Sequence, residues 1–292
     1  YSTFALNDFE KDSGHILMCR TLAYSDVEIE LLNYDEEVLS KSIPVKSFDG
    51  RIVDFQKLTH DIRGVEIEID TPLKFWAGQY VDITVTPEEG EEITRSFSMA
   101  NSPSEAQKLS FIIKKYPEGR FSNELDAGGI KKGATVKITG PYGMCFRRED
   151  REGPVILVGA GSGMSPVWSI LHDQLASEED RPILFFYGAR TQEDLFKLEE
   201  IDELAKANAS LEFIPVLSHA DDDENWDGER GFVHECVDAR LKEMDLDGEC
   251  DVYACGPPPM IDELTPVLFM NDFETERIFF DKFTPTSGSS AH

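Results

Sequence analysis

Along Val65-Glu66-Ile67-Glu68-Ile69-Asp70 apolar and acidic residues alternate without a break. A period of two puts the apolar side chains on one face and the acids on the other, so the run predicts a strand with one wet face. Similar runs recur at residues 50–55, 80–85, 93–98, 109–114 and 135–139, separated by turn stretches such as 76–79 and 87–90. Six short strands with few helical stretches predict a small antiparallel β-barrel or sandwich. The pattern changes after Gly153. Pro154-Val155-Ile156-Leu157-Val158 is a continuous apolar run, followed by a glycine-rich turn and a helix with Val167, Leu171 and Leu175 on one face. Further apolar runs at 182–187, 211–217 and 251–254 alternate with helical stretches, the mark of buried strands in a doubly wound parallel sheet. The fold class is therefore β followed by α/β, with the boundary at residues 148–153. Residues 1–32 fit neither half and finish in another alternating strand, 26–31, which needs partners. The small, polar tail 286–292 reads as disordered or as a cloning scar.

Composition narrows the function. With 57 Asp+Glu against 28 Lys+Arg the chain of 292 residues carries a formal charge of −29. Such a field repels nucleic acid and anionic membranes, so any phosphate ligand must be held by a few local donors. No apolar run approaches the roughly 18 residues of a transmembrane helix, and no signal peptide opens the sequence. A soluble, cytoplasmic protein is expected. Five cysteines form no dense disulfide framework, which suits a reducing compartment. The six histidines show no helical pair at metal-ligand spacing. Cys250 and Cys255 imitate the first half of an iron–sulfur spacing, but Pro258 stands where the third ligand belongs.

Several motifs carry chemistry. Gly159-Ala160-Gly161-Ser162-Gly163-Met164-Ser165-Pro166 follows a buried strand and opens a helix, where glycines admit a phosphate to backbone N–H groups and Pro166 suits the first turn. Met164 occupies the place of the third glycine of the common dinucleotide fingerprint, so a merely tight strand–helix turn is the rival reading. Cys255-Gly256-Pro257-Pro258-Pro259-Met260 also follows a buried strand, and two such strand ends make one crevice. Its rival reading is a buried cysteine behind a rigid proline turn. In the barrel, Arg95-Ser96-Phe97-Ser98 offers a cation for a pyrophosphate and a ring for a flat heterocycle. A surface arginine beside a core phenylalanine is the alternative. Alternation sends Arg95 and Phe97 to one face, Ser96 and Ser98 to the other. Lys114, Lys115 and Arg120 concentrate positive charge around Gly119-Arg120-Phe121-Ser122, a helix start.

In this order, with Gly140-Pro141-Tyr142-Gly143 and Phe279-Phe280-Asp281-Lys282-Phe283 added, the motifs resemble the ferredoxin–NADP reductase superfamily over residues 43–285. The resemblance is nearest to the reductase components of bacterial soluble di-iron monooxygenases of the methane, propane and phenol hydroxylase type. It implies a six-stranded FAD-binding barrel at 43–150, an NAD-binding α/β domain at 151–285, and at 1–42 the end of a plant-type [2Fe–2S] ferredoxin domain with its linker. Cys19 would be the fourth cluster ligand, the other three lying before Tyr1, so the chain is expected to be a fragment that holds no cluster alone. FAD would be held by Arg95, Ser96, Phe97, Ser98, Ile112, Lys114, Gly119, Arg120, Phe121, Ser122 and Phe283. The nicotinamide dinucleotide would lie on Gly159, Gly161, Ser162, Gly163, Met164, Pro166, Arg190, Cys255, Gly256 and Pro257. Ser98, Cys255 and Asp281 would tune the reacting atoms. Phe97 replaces a usual tyrosine, Ser162 a usual threonine, and Asp281 stands where Glu is common.

The implied activity passes a hydride from NADH to FAD, then single electrons through the cluster to a di-iron hydroxylase. NADH is expected over NADPH. Arg190 suits a 2′-phosphate, whereas Glu193 and Asp194 oppose one. Replacing Cys255 by alanine is expected to slow hydride transfer while FAD stays bound. Two other functions remain open: the reductase of a ring-hydroxylating dioxygenase, and a non-catalytic nucleotide- or partner-binding module. The excess acid reads either as a docking surface for a basic partner or as plain solubility or salt adaptation, with Asp221-Asp222-Asp223-Glu224 a solvated loop.

Overall fold

The computed structural model describes residues 14, 16, 22, 24–28, 40–220, 225–246 and 248–284. The chain divides into two compact units, residues 1–42 and 43–292. In the first, residues 24–28 belong to no strand, and Leu22 and Tyr24 are exposed. The expected strand at 26–31 is therefore not formed over its described part, 26–28, and residues 29–31 lie outside the described residues. Cys19, the run 221–224 and the tail 286–292 lie outside them as well. A ferredoxin remnant is not shown.

The second unit opens with all six strands that alternation predicts: β1 (Lys46–Lys57), β2 (Ile62–Ile69), β3 (Tyr80–Val85), β4 (Ile93–Ser98), β5 (Lys108–Lys114) and β6 (Thr135–Tyr142). They pair antiparallel in the order β4-β3-β6-β1-β2-β5. The apolar member of each alternating pair turns inward: Ile67, Ile69, Val81, Ile83, Val136 and Ile138 are all buried in one cluster. The edges β4 and β5 meet at an isolated bridge, Met99 with Phe111, and Ala100 N–H donates to the Ser110 carbonyl at 2.7 Å. The barrel is thus barely closed on that side. Helix α1 (Arg120–Ala127) starts at Gly119 and stops at Gly128, whose φ of 81° is the left-handed ending that glycine adopts without strain.

The α/β half holds β7 (Val155–Ala160), β8 (Ile183–Ala189), β9 (Leu211–Leu217), a two-residue β10 (Glu229–Arg230), β11 (Asp251–Gly256) and β12 (Ile278–Lys282). Its helices are α2 (Met164–Ala176), α3 (Leu198–Ala207), α4 (Val233–Met244) and α5 (Pro258–Met270). The strands are parallel in the order β10-β9-β8-β7-β11-β12. The order reverses between β7 and β11, and a crevice opens at the carboxyl ends of strands at such a switch point. Both glycine–proline motifs sit there. The edge strand β12 escapes period-based reading, because Ile278-Phe279-Phe280-Asp281-Lys282 neither alternates nor runs wholly apolar.

Helix α2 is the joint between the halves. Met164, Val167, Trp168, Ile170 and Leu171 pack in one buried cluster with Ile62, Ala77, Ala100, Ile112 and Cys145 from the barrel side. The connection between β6 and β7 is pinned as well. Arg148, 2 % exposed, has its guanidinium 3.8 Å from the Phe146 ring centre and 4.6 Å from that of Phe279, and its backbone N–H donates to the Tyr253 hydroxyl at 2.8 Å. Fully buried Asp251 accepts from Arg181, Arg151 and Arg277.

Candidate functional site

A cavity of about 1060 Å³ opens along the thinly closed side of the barrel. Every residue expected around FAD lines it: Arg95, Ser96, Phe97, Ser98, Ile112, Lys114, Gly119, Arg120, Phe121, Ser122 and Phe283. Phe97 meets Phe121 at 5.0 Å between ring centres and 59°, so two rings from strand and helix shape one wall. Residues of both faces of β4 reach this cavity: beside Arg95 and Phe97 stands Ser96, whose hydroxyl donates to Asp82, also in the lining, at 2.6 Å. Of the neighbouring lysines only Lys114 lines the cavity. Lys115 is engaged 2.6 Å from Asp126, which also binds Arg63 at 2.8 Å. The hydrogen bonds from Arg63 and Lys115 hold the Asp126 carboxyl down at about 2.

A second cavity, about 860 Å³, lies over the switch point between β7 and β11. Gly161, Ser162, Arg190, Gly256 and Pro257 line it, as expected. Gly159, Gly163, Met164, Pro166 and Cys255 do not; they form the layer behind its wall. A Cβ on Gly163 would lie 2.6 Å from Gly256 N, so that glycine is required by close packing of the turn on β11. Gly161 has a φ of +56° and no neighbour nearer to a Cβ than Lys114 Nζ at 4.0 Å, so its open side faces the cavity.

The two cavities share Lys114, Tyr116, Ser162 and Phe283. Two large ligands can therefore approach each other from opposite domains with Ser162 and Phe283 at their meeting place. Lys114 Nζ is 2.9 Å from Asp61 Oδ2. Burial opposes ionisation of Asp61, but the Lys114 hydrogen bond and charge outweigh it and hold the carboxyl low.

Asp281 lines the first cavity beside Ser98, Tyr80 and Phe283, and burial pushes its carboxyl up to about 6. Burial, and the Asp281 charge after it, raise the Tyr80 phenol. The Cys255 thiol, expected close to the nicotinamide, is not part of the lining of either cavity. It is fully buried, 3.7 Å from Cys145 Sγ, in the seam between barrel and sheet. Its hydrogen bond to Cys145 and its burial push it well above the ordinary thiol range.

Motif reading also missed residues. Tyr80 lines the first cavity from β3, directly opposite Ser98 on β4. Phe232, 57 % exposed, stacks on His234 at 5.7 Å and 13° beside the second cavity. An exposed aromatic next to a glycine (Gly231) was the available signal.

Comparison with known proteins agrees with this geometry. Residues 49–146 match the oxidoreductase FAD-binding domain family and residues 157–265 the oxidoreductase NAD-binding domain family. The propane 2-monooxygenase reductase component of Mycolicibacterium smegmatis is 40% identical over 289 residues, covering 97% of this chain and 81% of that protein. The phenol 2-monooxygenase reductase component DmpP of Pseudomonas sp. strain CF600 is 34% identical over 283 residues, covering 97% and 78%. Among solved structures, the ferredoxin reductase in carbazole 1,9a-dioxygenase matches with a TM-score of 0.73 and 34% identity over 83% of this chain and 71% of that one. The Amycolatopsis cytochrome P450 reductase GcoB matches with a TM-score of 0.79 and 27% identity over 98% and 83%. With two cavities meeting between a six-stranded barrel and a parallel sheet, the chain belongs to the FAD- and NAD-binding oxidoreductases of the ferredoxin reductase family, alongside the reductase components of propane and phenol monooxygenases.

Proposed function

We propose that this protein takes hydride from NADH onto FAD and delivers electrons to the hydroxylase component of a di-iron monooxygenase in the cytoplasm. The observation that carries the reading is the shared wall of the two cavities at Lys114, Tyr116, Ser162 and Phe283. When bound in the first cavity, FAD would supply the two-electron to one-electron redox chemistry. The chain's residues bind and orient. Arg95 and Arg120, with the Gly119 turn at the start of α1, suit the FAD diphosphate. Phe97 and Phe121 offer apolar walls for the ring system. Gly161 leaves open space for the dinucleotide phosphates beside Lys114, and the exposed Phe232–His234 pair suits the adenine. Asp281, its carboxyl raised by burial, stands beside Ser98 where it suits taking up or releasing a proton near neutral pH.

The described cysteines do not fit an iron–sulfur cluster. Cys145 and Cys255 are sealed against each other, Cys250 is buried in a different apolar cluster, and Cys236 lies on α4. Cys19 is proposed as a cluster ligand on the resemblance alone, and no step here passes through it. No helix of the described residues is long and apolar enough to cross a membrane. The similarity to the carbazole dioxygenase ferredoxin reductase supports a second reading, delivery to a ring-hydroxylating dioxygenase. The test is an anaerobic visible spectrum of the FAD-loaded protein, followed after adding NADH or NADPH. Prompt bleaching with a higher kcat/KM for NADH supports the reading. Bleaching by NADPH alone refutes the nicotinamide assignment, and a colourless protein that takes up no FAD refutes the function.

A further inference from the structure

Ser165 belongs to the glycine-rich turn by sequence, yet it lines neither cavity and is fully buried. Its hydroxyl is spent on the other domain. It donates to the Ser98 carbonyl at 2.6 Å and accepts the Ile112 N–H at 3.2 Å. Those two atoms belong to β4 and β5, the strands that close the barrel at the single bridge of Met99 with Phe111. One residue beyond that bridge, antiparallel register brings Ser98 beside Ile112, and both residues line the cavity that suits FAD. A side chain from the first turn of α2 therefore clamps the weakest line of the barrel, at the place where the flavin-facing strand ends.

We infer that Ser165 is a positioning residue for hydride transfer: its hydroxyl fixes the distance between the nicotinamide turn and the flavin-facing end of β4. The inference rests on the NADH-to-FAD reading given above. The physical argument has three parts. The hydroxyl donates one hydrogen bond and accepts another, both within the protein, and its full burial outside both cavities keeps water and ligand from competing for it. The Ser98 carbonyl and Ile112 N–H are buried, so losing their partner leaves polar groups under-satisfied in a place that solvent does not reach. The turn that holds one reactant, residues 159–163, immediately precedes Met164 and Ser165, so no flexible segment separates clamp from site. One turn later Ser169, also fully buried, donates to the Asn101 carbonyl at 2.7 Å. That second clamp ties α2 to the connection between β4 and β5, past the bridge, and neither Ser169 nor Asn101 lines a cavity. It is a natural control.

The experiment compares wild type with Ser165→Ala, Ser165→Cys and Ser169→Ala. Ser165→Cys keeps the shape of the side chain and weakens its hydrogen bonds, so it serves if the alanine variant does not fold. FAD-loaded proteins are mixed with NADH anaerobically, and the flavin bleaching rate is followed at saturating and limiting NADH. Amide exchange across residues 108–114 is measured on the FAD-free proteins. The limiting bleaching rate should fall by about tenfold or more in both Ser165 variants, since a misplacement of order 1 Å between reactants costs up to about a hundredfold. The affinities for FAD and NADH should hold within about threefold, because that loss sits in orientation and not in binding. Exchange across 108–114 should quicken in the Ser165 variants even without FAD. Ser169→Ala should lower the melting temperature comparably and leave the bleaching rate near wild type. Equal slowing by Ser169→Ala overturns the inference, because general loosening then suffices. Ser165 variants that bleach like wild type overturn it alone, whereas a wild type that does not bleach with NADH overturns the underlying reading too.

Discussion

Gly163→Ala isolates the contact that sets the glycine-rich turn, residues 159–163, on the sheet. The φ of Gly163 is −62°, which any residue adopts, so space and not conformation demands glycine. An added Cβ would stand 2.6 Å from Gly256 N and closer still to the Cys255 carbonyl, whereas real Cβ atoms essentially never come within 3.0 Å of a neighbour. The obstruction is backbone. β11 is held on one side by β7 and on the other by β12, so it cannot yield as a side chain would. The turn must therefore lift by roughly 1 Å, and a shift of that size between reactants costs up to about a hundredfold in rate. Forcing a methyl into a packed site adds about 1–3 kcal/mol of destabilisation. At about 2–4 °C per kcal/mol for a domain of this size, the melting temperature should drop by about 2–12 °C. Gly161→Ala is the contrast. Its φ of +56° costs an L-residue about 1–2 kcal/mol, but a Cβ there meets nothing nearer than Lys114 Nζ at 4.0 Å and projects into the cavity. That variant should lose NADH affinity with a smaller loss of stability, while Gly163→Ala loses both stability and bleaching rate. Thermal melts of the FAD-loaded proteins and stopped-flow bleaching with NADH read both quantities. A Gly163→Ala protein that melts within about 1 °C of wild type and bleaches at wild-type rate would refute the packing argument.

Asp281→Asn should raise stability above neutral pH. Burial pushes the native carboxyl up to about 6 from the ordinary 3.8, so folding takes up a proton between those values and stability falls as pH rises through them, by up to about 3 kcal/mol. The gap in melting temperature between variant and wild type should therefore be wide at pH 8 and close below pH 4; a gap independent of pH would contradict the burial of this carboxyl. Cys255→Ala should keep FAD bound, since every residue expected around it except Phe283 is in the barrel half, and slow hydride transfer, because the sulfur fills the seam behind Gly256 and beside Asp281 in register. Unchanged single-turnover rates would remove Cys255 from the site.

How much of this was legible in the sequence depended on whether a signal was local. The barrel strands alternate cleanly because one face is core and the other water, and all six follow from that pattern. The β7, β8 and β11 runs were equally clear, being buried on both faces. β12 was not, because an edge strand has one flank of company and its residues answer to several demands at once. Phe279 stacks on Tyr253, Asp281 faces the cavity and Lys282 reaches Asp262 on α5. In the site, the residues expected around FAD line their cavity because the strand and helix start that present them were correctly read. Half of those expected around NADH turn out to be wall and not lining. Glycine spacing marks where a backbone leaves no room or must bend, but does not say whether the glycine faces an open cavity, as at Gly161, or another strand, as at Gly163. Ser165 was invisible as a functional residue because its partners, Ser98 and Ile112, are distant in sequence and engage it through backbone atoms that carry no residue signature.

Charge poses the remaining problem, since a chain of net charge −29 is proposed to bind two ligands that are themselves anionic. The answer is local. Arg95, Arg120 and Lys282 line the first cavity, Arg190 the second and Lys114 both, while Arg147 and Arg181, themselves buried, are committed to carboxylate partners elsewhere. A ligand already seated feels these cations at contact distance, where salt screens little. A ligand still approaching feels the whole acidic surface, which salt screens over about 30 Å at 0.01 M and about 10 Å at 0.1 M. Rising ionic strength should therefore speed the association of NADH while leaving its dissociation nearly unchanged. Association with a basic docking partner should slow over the same range, because there the long-range field steers and does not repel. The two opposite slopes distinguish a docking role for the acidic surface from simple solubility: if turnover with the hydroxylase ignores salt while NADH association rises, the surface repels anions but recruits no partner.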